Sequence, residues 1–234
     1  FYSMSLAMGI MITFGSYLPK DADIESSVRQ IEIFDSAIAV LAGLMIVPSV
    51  FVFSGGSQES LSAGPTLMFI TLPKVFNSMV GGNVLGAAFF VLVLFAALTS
   101  AISLMETVVS IFVEKFHKER KIVTLCVMVY TILMALPSSL GFGLLSKIKF
   151  NGMSILDMFD FISNSILMPI VALLTCLFVG FIIKPKTIID EIKTSTDHFK
   201  NEKFYTVLVK YISPILLVLI LISSILNSLN IIHL

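Results

Sequence analysis

A stripe of small and hydroxyl-bearing residues runs along the longest apolar stretch of the chain, from Val84 to Val113. Its members are three and four residues apart, which places them on one face of a helix. They are Ala96, Thr99, Ser100 and Ser103. Glu106, the only charged residue of the stretch, continues the same face. An oxygen-rich face on an otherwise apolar helix can either pack against a neighbouring helix or bind an ion.

Both interpretations stay open on spacing alone. In the first, the small residues pack against another helix, and each hydroxyl donates a hydrogen bond to the carbonyl four residues earlier. In the second, the hydroxyls and unpaired backbone carbonyls form half of a site for a small hard cation, which prefers oxygen ligands. Glu106 poses a similar choice between a hydrogen-bonding strut and a proton relay, and we favour the strut.

The composition indicates a membrane protein. Hydrophobic residues make up 57% of the chain and charged residues 13%, whereas soluble domains carry about 25% charged residues. This composition excludes a soluble enzyme, and a net charge of zero argues against a nucleic-acid partner. The histidines and cysteines show no metal-ligand spacing, so we expect no enzyme activity and no organic cofactor.

Apolar segments separated by polar turns predict an all-α, polytopic membrane bundle in a lipid bilayer, forming one domain over residues 1–234. The predicted spans are 1–18, 33–54, 84–113, 122–136, 155–183 and 204–229. Residues 55–82 are interrupted by glycines and prolines, which predicts an extracellular lid of short helices. Gly9 and the serines before it predict a break in the first span, and Pro137 predicts the end of the fourth.

Lysines and arginines concentrate in the loops on one side of these six spans, eleven against three. The richer set consists of Lys20, Arg29, Lys115, Lys118, Arg120, Lys121, Lys184, Lys186, Lys193, Lys200 and Lys203. Because cytoplasmic loops carry the excess of positive charge, this count predicts that the lid and the C-terminus lie outside a plasma membrane.

Three motifs stand out along the chain: Tyr2-Ser-Met-Ser-Leu-Ala-Met-Gly9, Gly64-Pro-Thr-Leu-Met-Phe-Ile-Thr-Leu-Pro73 and Phe95-Ala-Ala-Leu-Thr-Ser100. Together they resemble the neurotransmitter:sodium symporter family, and its bacterial amino-acid transporters in particular. The order and spacing of the spans agree with the second half of that family, from the unwound centre of its sixth helix onward. The resemblance implies half of a leucine-transporter-like inverted-repeat fold, whose N-terminal half we expect to be missing from this chain.

The resemblance also implies binding residues for sodium and an amino acid. For sodium, the matching positions are Ala96, Thr99 and Ser100 at one site and Ser3 and Asp35 at the other. For the substrate, they are Tyr2, Ser3, Ser5, Met8, Ser100 and Leu104. Tyr2, Met8 and Leu104 suit a leucine-like or aromatic side chain, although ordinary bundle packing explains each residue equally well.

Three acidic positions complete the prediction. Asp35 places a fixed negative charge beside sodium, which would make chloride unnecessary, and its alternative is an acid at the cytoplasmic end of its helix. Asp160 and Glu114 match outer- and inner-gate acids whose arginine partners belong to the missing half. Each could instead be an ordinary charge at the end of a helix.

The resemblance therefore implies sodium-coupled symport of a small apolar or aromatic amino acid by alternating access, performed as part of a longer transporter. A non-transporting membrane scaffold, or a truncated fragment that requires a partner half, is the alternative.

Overall fold

The computed structural model describes residues 4–19, 21–53, 67–149, 153–195, 199 and 201–228. Their secondary-structure elements are all helices, which confirms the predicted all-α class. A 3-10 turn, Leu6–Met8, comes first. The helices that follow are α1 (Ile10–Ser16), α2 (Ile24–Phe53), α3 (Leu67–Asn77), α4 (Gly82–Phe116), α5 (Arg120–Leu140), α6 (Ile155–Ile183), α7 (Pro185–Ser195) and α8 (from Glu202 to Ser228).

In the part of the chain that the structure describes, five helices are long and apolar enough to cross a membrane: α2, α4, α5, α6 and α8. They support the prediction of a multi-pass membrane protein. The first predicted span, 1–18, differs from the rest, because its described part is the 3-10 turn followed by the seven-residue helix α1. A left-handed Gly9 separates these two pieces and prevents one continuous helix.

Two helix boundaries also differ from the expected ones. Helix α2 begins at Ile24 rather than at residue 33, because Ile24, Val28 and Ile31 repeat at helical spacing among good helix formers. Pro137 lies inside α5, which continues to Leu140 instead of ending there. A proline removes one backbone hydrogen bond, and membrane helices tolerate that loss where other groups compensate.

Contacts divide the chain into two compact units, which we describe separately: Ser26–Ile102, and Phe1–Glu25 together with Ser103–Leu234. The first unit begins just inside α2 and ends within α4.

The first unit has its core where α3 packs against the end of α2 and the start of α4. Val50 of α2 is completely buried and contacts Leu72 and Val75 of α3. Gly82 is required at the start of α4, since a Cβ atom there would lie 1.6 Å from the carbonyl oxygen of Phe76. A lid of short helices was expected over residues 55–82. Residues 67–77 of this segment form α3, and residues 54–66 lie outside the described residues.

The second unit is built around α6 and α8. Met168, Pro169 and Ala172 of α6 are buried, as is Leu217 of α8. Both helices contain π-helical turns, at Phe161–Leu167 and Phe178–Ile183 in α6 and at Leu208–Ile212 in α8. Ser154 caps the start of α6 by accepting a hydrogen bond from the Asp157 backbone at 3.2 Å.

Candidate functional site

The first helix is broken where the serines and the glycine predicted a break. Ser5 and Gly9 both have left-handed backbones, with φ of 50° and 79°, and they flank the 3-10 turn Leu6–Met8. The regular ladder resumes when Thr13 donates its backbone N–H to the Gly9 carbonyl at 3.0 Å. Such a break interrupts the hydrogen-bond ladder and makes backbone oxygens available to a ligand. The predicted break is confirmed.

Gly9 is also the point where this broken segment approaches α4. A Cβ atom on Gly9 would lie 3.2 Å from Cγ2 of Thr107, which is only 3% exposed. Thr107 is itself fixed, because its hydroxyl donates to the Ser103 carbonyl at 2.9 Å. Glycine therefore serves two purposes here: it permits the left-handed backbone and it leaves room for Thr107.

The predicted substrate residues divide between described and undescribed positions. Tyr2 and Ser3 lie outside the described residues. Ser5 and Met8 are half-buried at the two ends of the 3-10 turn. Leu104 lies on α4 with 43% of its surface exposed, and a residue with that exposure can contact a ligand or another segment.

The stripe on α4 exposes its oxygen-bearing residues. Ala96, Thr99 and Ser100 are all exposed, and the Thr99 hydroxyl lies 3.0 Å from the carbonyl oxygens of Phe95 and Ala96. The hydroxyl thus donates to its own helix, as the packing interpretation expected. A hydroxyl that donates one hydrogen bond keeps two lone pairs. The observed bond thus agrees with the packing interpretation, and donating it does not use the acceptor side of the oxygen, as a cation site requires.

Asp35, the predicted acidic ligand, lies half-buried in α2. Within the described ranges, no three His, Cys, Asp or Glu side chains are grouped closely enough to hold a metal ion. Sodium ligands of the predicted kind are instead hydroxyls, backbone carbonyls and a single carboxylate.

A polar cluster that sequence reasoning missed joins three helices. Tyr17, just after α1, donates its hydroxyl to Glu106 Oε1 at 2.7 Å, and Arg120 at the start of α5 forms a salt bridge with Glu106 Oε2. Glu106 thus links the end of α1 and the start of α5 to the C-terminal third of α4, which is the geometry of a strut. The presence of an acid within a predicted span was the available signal, since such an acid requires partners.

The two predicted gate acids are both exposed. Asp160 accepts a hydrogen bond from the Asn164 side chain at 2.6 Å, immediately before the first π-helical turn of α6. Glu114 lies at the end of α4, next to Lys115 and Phe116. Single π-helical turns within α-helices occur frequently at functional sites, which makes the neighbourhood of Asp160 the more distinctive of the two.

Comparison with known proteins identifies the family. The profile of the sodium:neurotransmitter symporter family matches residues 1–232. An uncharacterized sodium-dependent transporter of Bacillus subtilis is 34% identical over 227 residues, which cover 96% of this chain and 49% of that protein. An uncharacterized sodium-dependent transporter of Haemophilus influenzae is 35% identical over 228 residues, covering 96% and 48% respectively.

A solved structure gives the same answer for the fold. The crystal structure of MhsT in complex with L-phenylalanine superposes with a TM-score of 0.82 at 35% identity, covering 94% of this chain and 49% of MhsT. The leucine-transporter-like architecture predicted from the motifs is thereby confirmed. The chain spans about half the length of the relatives that it matches. On this evidence, the chain belongs to the sodium:neurotransmitter symporter family.

Proposed function

We propose that the chain takes part in sodium-coupled symport of an apolar or aromatic amino acid by alternating access, as one half of a longer transporter. The break between Ser5 and Gly9, held against Thr107 of α4, is the observation that carries this proposal. A helix interrupted inside an apolar protein is costly unless its backbone groups bind something. The MhsT structure, which is 35% identical to this chain, contains L-phenylalanine and supports the substrate class.

Sodium in this proposal is bound by oxygen atoms of three kinds. Thr99 and Ser100 supply hydroxyls and Ala96 supplies a carbonyl at one site, while Ser3 and Asp35 serve the other. The exposure of Thr99 supports this assignment, because an ion can reach an exposed hydroxyl. Remaining ligands would come from the other half of the transporter.

The substrate in this proposal meets residues on both sides of the helix break. Tyr2, Met8 and Leu104 contribute apolar surface for the side chain, and Ser3, Ser5 and Ser100 contribute polar groups. The flexible thioether of Met8 would adapt to aliphatic and aromatic side chains alike, which favours a transporter that accepts several apolar amino acids.

In this proposal, sodium binding drives substrate transport because the sodium and substrate sites share binding free energy. If sodium holds α4 to the other half only while it is bound, its release loosens that contact and permits one bundle to move against the rest. Asp160 and Glu114 would close the outer and inner paths by pairing with arginines of the other half. The link from Glu106 to Tyr17 and Arg120 would keep α1, α4 and α5 together during such a movement.

The proposal places the transporter in the plasma membrane with the lid and the C-terminus outside. The uneven distribution of lysines and arginines among the loops supports this orientation.

Sodium dependence of uptake by the full-length protein tests the proposal. Replacing Thr99 by valine keeps the shape of the side chain and removes one oxygen ligand. We expect the sodium concentration for half-maximal uptake to rise about tenfold, which corresponds to about 1.4 kcal/mol of lost ligand binding. Thr99→Ser, which retains the hydroxyl, should restore most of the sodium affinity.

Thr131 of α5 offers a matched control. Its hydroxyl also donates to its own helix, at 2.8 Å from the Val127 carbonyl, and its side chain is also exposed. Thr131→Val should leave the sodium dependence unchanged. An equal effect of both valine substitutions would remove Thr99 from the ion site. Complete absence of sodium-dependent amino-acid uptake by the unmodified full-length protein would favour the non-transporting scaffold.

A further inference from the structure

A lysine-rich cavity lies between the end of α6, helix α7 and the start of α8. Its volume is about 730 Å³. Five lysines line it: Lys184, Lys186, Lys193, Lys203 and Lys210. Asp190 and Glu202 are its acidic residues, so five positive and two negative charges leave an excess of three positive charges. Such an excess in a concave site favours an anionic ligand.

Most of this positive charge is available to a ligand. Lys193 Nζ is paired with Glu202 Oε1 at 2.5 Å, which neutralises one lysine and one acid. Lys210 Nζ lies 6.0 Å from the centre of the Phe181 ring, a cation–π arrangement that keeps its charge. Among the residues that the structure describes, Lys184, Lys186 and Lys203 have no ion-pair partner.

The cavity also has an apolar side. Phe181, Ile189 and Val207 line it together with the lysines. In helix α7, Ile189 and Ile192 are buried, whereas Lys186 and Lys193 are exposed. The cavity therefore lies where two membrane-spanning helices end, with apolar residues next to cations.

We propose that this cavity binds the phosphate group of an anionic phospholipid. Basic pockets between membrane helices bind anionic headgroups on the cytoplasmic side, which is the side that the lysine and arginine count assigns to this loop. The apolar residues favour a lipid over free phosphate, because they can contact the glycerol and the first acyl carbons, which free phosphate lacks. This site is separate from the transport residues and does not depend on the identity of the substrate.

Lipid titration of the purified full-length protein in detergent, followed by native mass spectrometry, tests the proposal. The probes are phosphatidylglycerol, phosphatidylcholine and inorganic phosphate. We expect phosphatidylglycerol to bind about tenfold or more tightly than phosphatidylcholine, since each lysine near a membrane surface contributes about fivefold. The triple variant Lys184→Gln/Lys186→Gln/Lys203→Gln should lose that preference. Asp190→Asn, which removes an exposed acid, should increase phosphatidylglycerol affinity several-fold.

Lysines outside the cavity provide the control. The variant Lys115→Gln/Lys118→Gln/Lys121→Gln removes the same charge from the junction of α4 and α5, on the same predicted side, and should keep the lipid preference. An equal loss in both triple variants would show a general charge effect and overturn the site. Inorganic phosphate that binds the unmodified protein as tightly as phosphatidylglycerol would overturn the lipid assignment. If the cavity variant fails to fold, an Asp190→Asn protein without increased affinity would still refute the proposal.

Discussion

Replacing Gly9 by alanine tests whether the break in the first helix is an essential feature of this fold. Gly9 has a φ of 79°, and adopting a left-handed backbone costs an L-residue about 1–2 kcal/mol. The added methyl would also lie 3.2 Å from Cγ2 of Thr107, which is tighter than ordinary van der Waals contact. The substitution therefore introduces both backbone strain and a steric conflict.

The steric part is significant because Thr107 has little room to move. It is 3% exposed, and its hydroxyl is bonded to the Ser103 carbonyl at 2.9 Å. A shift that weakens this bond would cost about 1 kcal/mol. Together with the backbone strain, we expect Gly9→Ala to lower the free energy of unfolding by about 2–3 kcal/mol.

Equilibrium unfolding of the full-length protein in detergent measures the loss, and a second substitution separates its two causes. Thr107→Ser removes the contacted Cγ2 methyl and keeps the hydroxyl. In the Gly9→Ala background it should recover about 1 kcal/mol, leaving the backbone strain in place. Gly15, in the same helix α1, is the matched control, since no described atom outside its own helix lies within 4 Å of a Cβ at that position. Gly15→Ala should be neutral or stabilising.

Two results would refute this reasoning. If Gly9→Ala and Gly15→Ala changed the free energy of unfolding equally, the left-handed turn would contribute nothing specific. If Thr107→Ser recovered no stability in the Gly9→Ala background, the close contact with α4 would be irrelevant. In either case the break at Gly9 would no longer support the proposed binding site.

Three further predictions follow from the other sites. If the proposed function holds, replacing chloride by gluconate should leave amino-acid uptake by the full-length protein unchanged, because Asp35 would supply the negative charge beside sodium; abolished uptake would show that chloride is required. Tyr17→Phe should lower the free energy of unfolding by about 1 kcal/mol through the lost hydrogen bond to Glu106, and it should have no effect in a Glu106→Ala background, where the acceptor is absent, if the two residues act as a pair. Val50→Ala should cost about 2 kcal/mol because it opens a cavity at a completely buried position, whereas Val40→Ala, at a side chain 60% exposed, should change the free energy of unfolding much less.

The class of fold was predictable from sequence because hydrophobicity acts over whole segments. Stretches of about twenty apolar residues can satisfy their backbone groups in a bilayer only as helices. The ends of helices were less predictable. Polar residues before residue 33 suggested a loop, yet they continue α2 back to Ile24, since a polar helix end can extend into water without any loss of backbone hydrogen bonds.

The break at Gly9 was also visible in the sequence, because glycine beside serines weakens a helix locally. The close approach of Gly9 to Thr107 could not be predicted from the sequence. Gly9 and Thr107 are far apart in sequence, and no pattern in either segment specifies that a methyl of one limits the backbone of the other.

The sequence alone thus determined that this is an all-helical membrane protein, and the motifs pointed to its family. The tertiary structure decided which polar groups meet. Glu106 could have been a relay or a strut on composition alone, and only the arrangement of three helices brings Tyr17 and Arg120 to its two oxygens. The physical reason is that hydrophobic burial is a property of each segment by itself, whereas a hydrogen bond between helices depends on distances and angles that only packing fixes.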